Sequence, residues 1–264
     1  MNYSNYSFRI NTIYEDTGLT WLFLPGGPGL GSEYLEPLCR QLKLPGSTLL
    51  VDFPKDGTNK EGRLDFDFWK RGLIDLVSQY ERPILVSHSF SGMFVLDTPE
   101  LEPHLTGLVL MNTTTRNSFF AQVSAMQEKH LLPDLLPAAA EYHLNPCKET
   151  YKQFWHSYKY YCFTAKELSL GEAMITSFAF NNEAYHYAIE HFFPNYQCRW
   201  HPKIPTLTIA GEDDYICPPT IFTADPLFQQ SNILNKIIHQ AGHCSWLLHL
   251  KQLQTSLDDF IKRL

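Results

Sequence analysis

No C-x-x-C pair occurs among the six cysteines of this 264-residue chain, Cys39, Cys147, Cys162, Cys198, Cys217 and Cys244. That removes the usual ligand spacing of a zinc site and gives no sign of a dense disulfide framework. Most of these cysteines read as buried small hydrophobes or ordinary thiols. Adjacent side chains usually point apart, which counts against Cys244, beside His243, as a thiol nucleophile. Basic runs are missing as well: the net charge is -7, so neither nucleic acid nor an anionic membrane surface is an expected partner. No apolar stretch approaches the roughly 20 residues that a bilayer needs, so no membrane span is expected. The first residues, Met1-Asn2-Tyr3-Ser4-Asn5-Tyr6, carry neither a basic nor a long apolar segment, and a cytoplasmic protein is expected. Neither G-x-G-x-x-G nor Gly-Lys-Ser/Thr is present, which argues against a phosphate-cradling loop. Nothing in the sequence speaks to oligomeric state.

What is present is ordinary globular composition, 44% hydrophobic and 19% charged, in a chain long enough for one large domain or two small ones. One stretch organises the rest. The apolar run Pro83-Ile84-Leu85-Val86 leads through Ser87-His88-Ser89-Phe90-Ser91-Gly92 into Met93-Phe94-Val95-Leu96. A short strand that turns directly into a helix lifts the central side chain clear of the backbone, which marks Ser89 as a candidate nucleophile. The same turn aims the Phe90 N-H at the charge developing on an attacked carbonyl. The pattern G-x-S-x-G asks for glycine two places either side of the serine, but Ser87 and Ser91 stand there and Gly92 comes one place later. The competing reading is that these serines merely cap the following helix.

Taken in order, residues 8–14 alternate apolar and polar side chains, and with Trp21-Leu22-Phe23-Leu24 they suggest an antiparallel hairpin that starts a sheet. Pro25-Gly26-Gly27-Pro28-Gly29 follows, a segment whose use lies in its backbone. Pro28 has no N-H, so Gly27 is the best candidate for a second oxyanion donor. A helix capped by Ser32 is expected over residues 32–42, a strand at Thr48-Leu49-Leu50-Val51, and an amphipathic helix over residues 65–80. This alternation of strand and helix implies a parallel sheet covered on both faces. After the buried strand Gly107-Leu108-Val109-Leu110-Met111 the pattern changes. Residues 113–200 show no strand but helical segments at 119–132, 151–162, 165–180 and 182–193, dense in aromatics such as Phe119, Phe120, Phe154, Trp155, Tyr158 and Tyr185. A helical insertion of this kind is what a lid over an apolar pocket looks like. Strands return at residues 205–210 and 236–239, and an amphipathic helix over residues 246–262 closes the chain.

Three polar groups thus fall just past strand ends: Ser89, an acid at Asp213 or Asp214, and His243 in Ala241-Gly242-His243-Cys244-Ser245. Loops at the carboxyl ends of a parallel sheet gather at one edge, where ligands bind. Of the other histidines, His88 should point away from Ser89, His239 falls in a strand and His249 on the closing helix. The order Ser, Asp, His is one of the known triad orders. In these features the chain resembles the α/β-hydrolase family along nearly its whole length. The oxyanion loop at Pro25 to Gly29, the nucleophile turn, the acid loop Gly211-Glu212-Asp213-Asp214 and Gly242-His243 arrive in that family's order.

The resemblance implies an α/β-hydrolase fold: a mostly parallel, twisted sheet with helices on both faces, a core made of residues 1–112 and 201–264, and a lid at 113–200. It selects Asp214 over Asp213 as the acid. It implies a serine hydrolase with Ser89, Asp214 and His243 as triad, the Gly27 and Phe90 N-H groups as oxyanion hole, and no metal or organic cofactor. The substrate expected is a small, apolar ester or acyl compound. Gly-Gly-Pro-Gly is also similar to proline iminopeptidases, which hold a substrate's amino terminus with lid carboxylates. Glu128, Glu141, Glu167, Glu172 and Glu183 are the candidates for that role. A non-catalytic receptor for a small molecule is the reading from another class.

Overall fold

Strands at the centre of a sheet must bury both faces, and four strands among the described residues are buried at every position. They are β3 (Thr20–Leu24), β5 (Pro83–His88), β6 (Gly107–Met111) and β7 (Thr206–Gly211). Around them lie β1 (Asn2–Tyr3), β2 (Arg9–Tyr14), β4 (Ser47–Asp52) and β8 (Ile233–Ile238). The computed structural model describes residues 2–116 and 119–264. Its eight strands form one sheet in the order β1-β2-β4-β3-β5-β6-β7-β8, parallel from β4 to β8 and antiparallel at β1 and β2.

The expected hairpin between residues 8–14 and β3 does not form. β2 pairs antiparallel with β4, with Ile10 opposite Val51, while β3 pairs in parallel with both β4 and β5. Burial gives the reason. β3 is apolar on both faces and needs a neighbour on each edge, whereas β2 is half-exposed and suits the position next to the rim. A buried ion pair fixes the new partner: Arg9 Nε donates to Asp52 Oδ2 at 2.8 Å.

Helices cover both faces. They include α1 (Glu36–Gln41), α2 (Phe66–Ser78) and α3 (Phe90–Leu96). The sequence suggests a longer α1, but a short 3-10 turn at Glu33–Leu35 precedes it, and Ser32 makes no side-chain cap. Asp65 does cap α2, accepting the Phe68 N-H at 2.9 Å, a bond of the kind that contributes about 1 kcal/mol. Trp69 of α2 and Phe94 of α3 pack around Phe53, with ring centroids 4.8 and 5.2 Å from it.

Between β6 and β7 come α4 (Phe119–His130), α5 (Leu136–Leu144), α6 (Lys148–Cys162), α7 (Leu168–Ser177) and α8 (Asn182–His191). α5 is absent from the sequence reading, because its residues are mostly exposed and leave no apolar period. The side chains of Phe119 and Phe120 lie outside the described residues. α9 (Thr220–Thr223) and α10 (Leu250–Ile261) complete the fold. α10 sets Phe260 against Trp21 of β3, with centroids 6.4 Å apart.

The helical segment is tied to the loops at the carboxyl ends of the strands. Asn181 donates its N-H to Gly29 O at 2.7 Å, Tyr151 Oη donates to Pro28 O at 2.7 Å, and His243 N-H donates to Cys162 O at 2.6 Å. It therefore shares backbone contacts with both the glycine-rich loop and the His243 loop.

Candidate active site

The turn from β5 to α3 puts Ser89 at φ +55°, a region that side chains rarely adopt and that persists only where the surroundings hold it. Those surroundings are specific. Ser89 donates its N-H to Met111 O at 3.0 Å, and its own carbonyl accepts from Thr113 Oγ1 at 2.6 Å. Ser89 makes no side-chain cap on α3, which removes the capping explanation for its hydroxyl. The shifted glycine is also explained. Ser87 and Ser91 are fully buried with their Cβ atoms accommodated, whereas a Cβ on Gly92 would meet the Thr113 side chain at 2.5 Å.

Three predicted residues meet. Ser89 Oγ lies 2.9 Å from His243 Nε2, and His243 Nδ1 lies 2.9 Å from Asp214 Oδ2. They come from the loops after β5, β8 and β7. Asp214, and not Asp213, reaches the imidazole; Asp213 sits half-buried with its N-H on Ala241 O at 2.9 Å. Asp214 is wholly buried, and burial alone would raise its carboxyl. His243 outweighs it by charge and hydrogen bond, helped by the Cys217 N-H and the Asn112 amide, and holds the group below the usual carboxylate range. The Ile216 and Cys217 N-H groups donate to Oδ1 at 3.0 and 2.8 Å, and Asn112 Nδ2 donates to Oδ2 at 3.0 Å.

Asn112 escapes a reading of the sequence. It follows β6 at φ +48°, accepts from Ser245 Oγ at 3.0 Å and donates to Gly242 O at 3.3 Å, so it braces the acid and the His243 loop together. Its one local signal is a polar residue just past a buried strand. Glu167 also holds that loop: it is fully buried and accepts the Gly242 N-H at 3.0 Å.

Gly27, at φ +116°, and Phe90 both face the space above Ser89. Among the described residues neither N-H is committed to another protein group, while the neighbouring Gly26 N-H donates to Tyr34 Oη at 2.7 Å. Gly27, Ser89 and Phe90 thus all line one cavity of about 330 Å³. Its walls include Met93, Phe154, Trp155, Tyr158, Phe193 and Ile216, and none of its lining residues is Asp, Glu, Lys or Arg. A second nook of about 10 Å³, room for one water or a methyl group, shares Gly27, Ser89, Trp155 and His243 with it.

The remaining candidates fall away from this centre. His239 lies just past β8, exposed beside Glu212, and His249 Nε2 lies 2.9 Å from Gln240 O. The Cys244 thiol is buried, and burial with the charges of Glu167 and Asp214 pushes it well above its ordinary value. All six cysteines are free. Asp214, Cys217 and His243 form the one cluster among the described residues close enough to hold a metal. Their polar atoms fit that use poorly: both Asp214 oxygens carry two donors each, both His243 nitrogens are engaged, and the Cys217 thiol is pushed well up by burial.

The parallel sheet thus brings Ser89, His243 and Asp214 into one hydrogen-bonded line beside Gly27 and Phe90. A family model described as "Alpha/beta hydrolase family" matches residues 21–253, and the chain belongs to that family. No curated protein matched the sequence. Among solved structures, the fold is similar to a proline iminopeptidase-related protein from Thermus thermophilus, with TM-score 0.72 and 15% identity over 100% of this chain and 96% of that one. It is also similar to a thermophilic esterase from Thermogutta terrifontis, with TM-score 0.71 and 15% identity over 97% and 93%. An esterase from Exiguobacterium antarcticum gives TM-score 0.65 and 14% identity over 97% and 96%. Among the described residues no helix is long and apolar enough to cross a membrane.

Proposed function

We propose that the chain is a serine hydrolase cleaving an ester or related acyl bond of a small, apolar substrate through an acyl-enzyme, with residues 113–200 serving as a lid. The observation that carries this reading is the unbroken line Ser89–His243–Asp214 opening on an apolar cavity. His243 Nε2 takes the Ser89 proton as Oγ bonds to the carbonyl carbon, and the oxyanion is received by the Gly27 and Phe90 N-H groups. His243 then gives the proton to the leaving alcohol, whose bond to the acyl carbon breaks. Water repeats the sequence on the acyl-serine and releases the acid. Asp214 stays ionised throughout, fixing the imidazole tautomer and stabilising the imidazolium. None of these steps calls on a metal or organic cofactor.

The cavity supports a neutral substrate, since a buried charge would find no partner in its walls. The same feature counts against an aminopeptidase. Of the lid carboxylates, none lines the cavity: Glu167 is bound to Gly242 and Glu172 pairs with Lys159, while Glu128, Glu141 and Glu183 are exposed. A panel of p-nitrophenyl esters beside aminoacyl naphthylamides separates the two activities, with turnover expected on the esters. A receptor would bind such compounds reversibly without turnover. The decisive test is a fluorophosphonate followed by mass spectrometry. Adduct on Ser89, lost in His243→Ala, is expected; adduct elsewhere, or undiminished in that variant, overturns the reading.

A further inference from the structure

Behind Ser89 a second line of hydrogen bonds joins the glycine-rich loop to the His243 loop. Gly26 donates its N-H to Tyr34 Oη at 2.7 Å, Tyr34 Oη lies 2.7 Å from His88 Nδ1, and His88 Nε2 lies 3.2 Å from the His243 carbonyl oxygen. Only one arrangement of protons satisfies every member. A carbonyl can only accept, so His88 Nε2 carries the hydrogen. Nδ1 of the neutral ring then accepts from the Tyr34 hydroxyl, whose oxygen accepts from Gly26. A proton added at Nδ1 would face the Tyr34 oxygen and leave its O-H without an acceptor.

The surroundings enforce this state. Tyr34 and His88 are 6% and 4% exposed, Trp246 stacks on Tyr34 and meets His88 edge-on, and Gly26 leaves no room for a side chain. Burial first, and the charge of His243 next, pull the His88 imidazole down to about 3 against smaller opposite pulls from its hydrogen bond to the His243 carbonyl and from the charge of Asp214. The ring therefore remains neutral even while His243 carries a proton. The line also occupies the Gly26 N-H and leaves the next one, on Gly27, which lines the cavity, without a protein partner among the described residues.

We propose that Tyr34 and His88 are positioning residues that hold the Gly26–Gly27 backbone and the His243 loop in one register, so that the oxyanion donor and the base stay aimed at the same point above Ser89. The role rests on the acyl-transfer reading, while the geometry behind it does not. Neither residue touches the reacting atoms; each acts through the backbone it holds.

Tyr34→Phe keeps the ring and deletes the hydroxyl, leaving the Gly26 N-H and His88 Nδ1 without partners. For a p-nitrophenyl ester, kcat is expected to fall about 10- to 100-fold, less than or equal to the loss of an oxyanion donor itself. KM is expected to stay within about twofold, because only transition-state alignment is lost. His88→Gln, which can still offer a donor to the His243 carbonyl, is expected to recover part of the rate lost in His88→Leu. An unchanged kcat in Tyr34→Phe, with any loss of kcat/KM carried by a rise in KM, overturns the proposal. A second readout needs neither turnover nor a variant: imidazole 15N NMR of the unsubstituted protein. A His88 hydrogen held on Nε2 from about pH 5 to 8, where an ordinary imidazole titrates, supports the proposal; a hydrogen on Nδ1, or titration in that window, overturns it. Ser89 left unlabelled by fluorophosphonate would sink the hydrolase reading alone and leave this NMR result standing.

Discussion

Two carboxylates, Asp214 after β7 and Asp56 after β4, are both wholly shielded from solvent yet are pushed in opposite directions. Asp214 has four donors spread over both oxygens, one of them on the imidazole of His243. Asp56 has two, the N-H groups of Gly29 and Gly57 at 2.6 and 2.8 Å, both on Oδ1, and its Oδ2 has no partner. Burial and the charge of Asp52 push the Asp56 carboxyl up to about 7 despite those two N-H groups, with Glu33 adding to the rise. Burial therefore does not decide the charge of an acid in this fold. What separates the two is first the neighbouring charge, the His243 imidazole beside Asp214 and the Asp52 carboxylate near Asp56, and then the donors aimed at each acid's oxygens.

The comparison breaks most sharply at Asp214. Asp214→Asn keeps the shape but takes away the charge that orients the imidazole, and kcat is expected to fall by about 10⁴-fold with the fold intact. Steady-state kinetics beside a thermal melt checks it; a loss under tenfold would mean that Asp214 is only a structural anchor. Asp56→Asn, by contrast, retains an oxygen for Gly29 and Gly57 and is expected to leave turnover nearly unchanged.

Its effect appears in stability, and the sign follows from proton linkage. An acid whose folded value lies above its unfolded one binds a proton more tightly when folded, so its contribution is full below the unfolded value and is lost as pH rises through the folded one. For Asp56 that window runs from an ordinary carboxyl value up to about 7. For Asp214 the sign is reversed: its contribution is present at neutral pH and is lost only as pH falls below the ordinary carboxyl range. Asp56→Asn should remove the neutral-pH slope and stabilise the protein near pH 8 by up to about 4 kcal/mol, an upper bound set by the size of the displacement. Urea unfolding at several pH values tests this, and an unchanged slope would show that Asp56 is ionised in the folded protein.

The buried central strands, the helix after Ser89 and the three residues of the hydrogen-bonded line were legible because each announces itself locally. A buried apolar run, a turn of small residues and a glycine before His243 need no knowledge of distant partners. What was not legible depends on contacts between remote segments. β2 finds β4 instead of β3 because Asp52 meets Arg9 across 43 positions, and alternation along β2 cannot report its partner. The same limit hides Asn112, Tyr34 and Glu167, which are ordinary residues until the fold brings 214, 88 and 242 to them. His88 lies between these cases. Its direction away from Ser89 follows from strand geometry, but its link to the His243 carbonyl does not.

Asn112 offers the finest test of the comparison, since removing it strips Asp214 of one donor of four and moves it one step toward Asp56. Alanine is a poor probe there, because φ is +48° and alanine lacks the short polar side chain that lets asparagine tolerate that region. Asn112→Gly accepts that φ without strain and removes the amide together with its Cβ. The Asp214 carboxyl then rises, Gly242 O and Ser245 Oγ lose a partner, and kcat is expected to drop about tenfold, in keeping with one charge-assisted hydrogen bond. If instead kcat matches that of the unsubstituted protein in steady-state kinetics, the three donors from Ile216, Cys217 and His243 are sufficient, and the contrast with Asp56 rests on the imidazole.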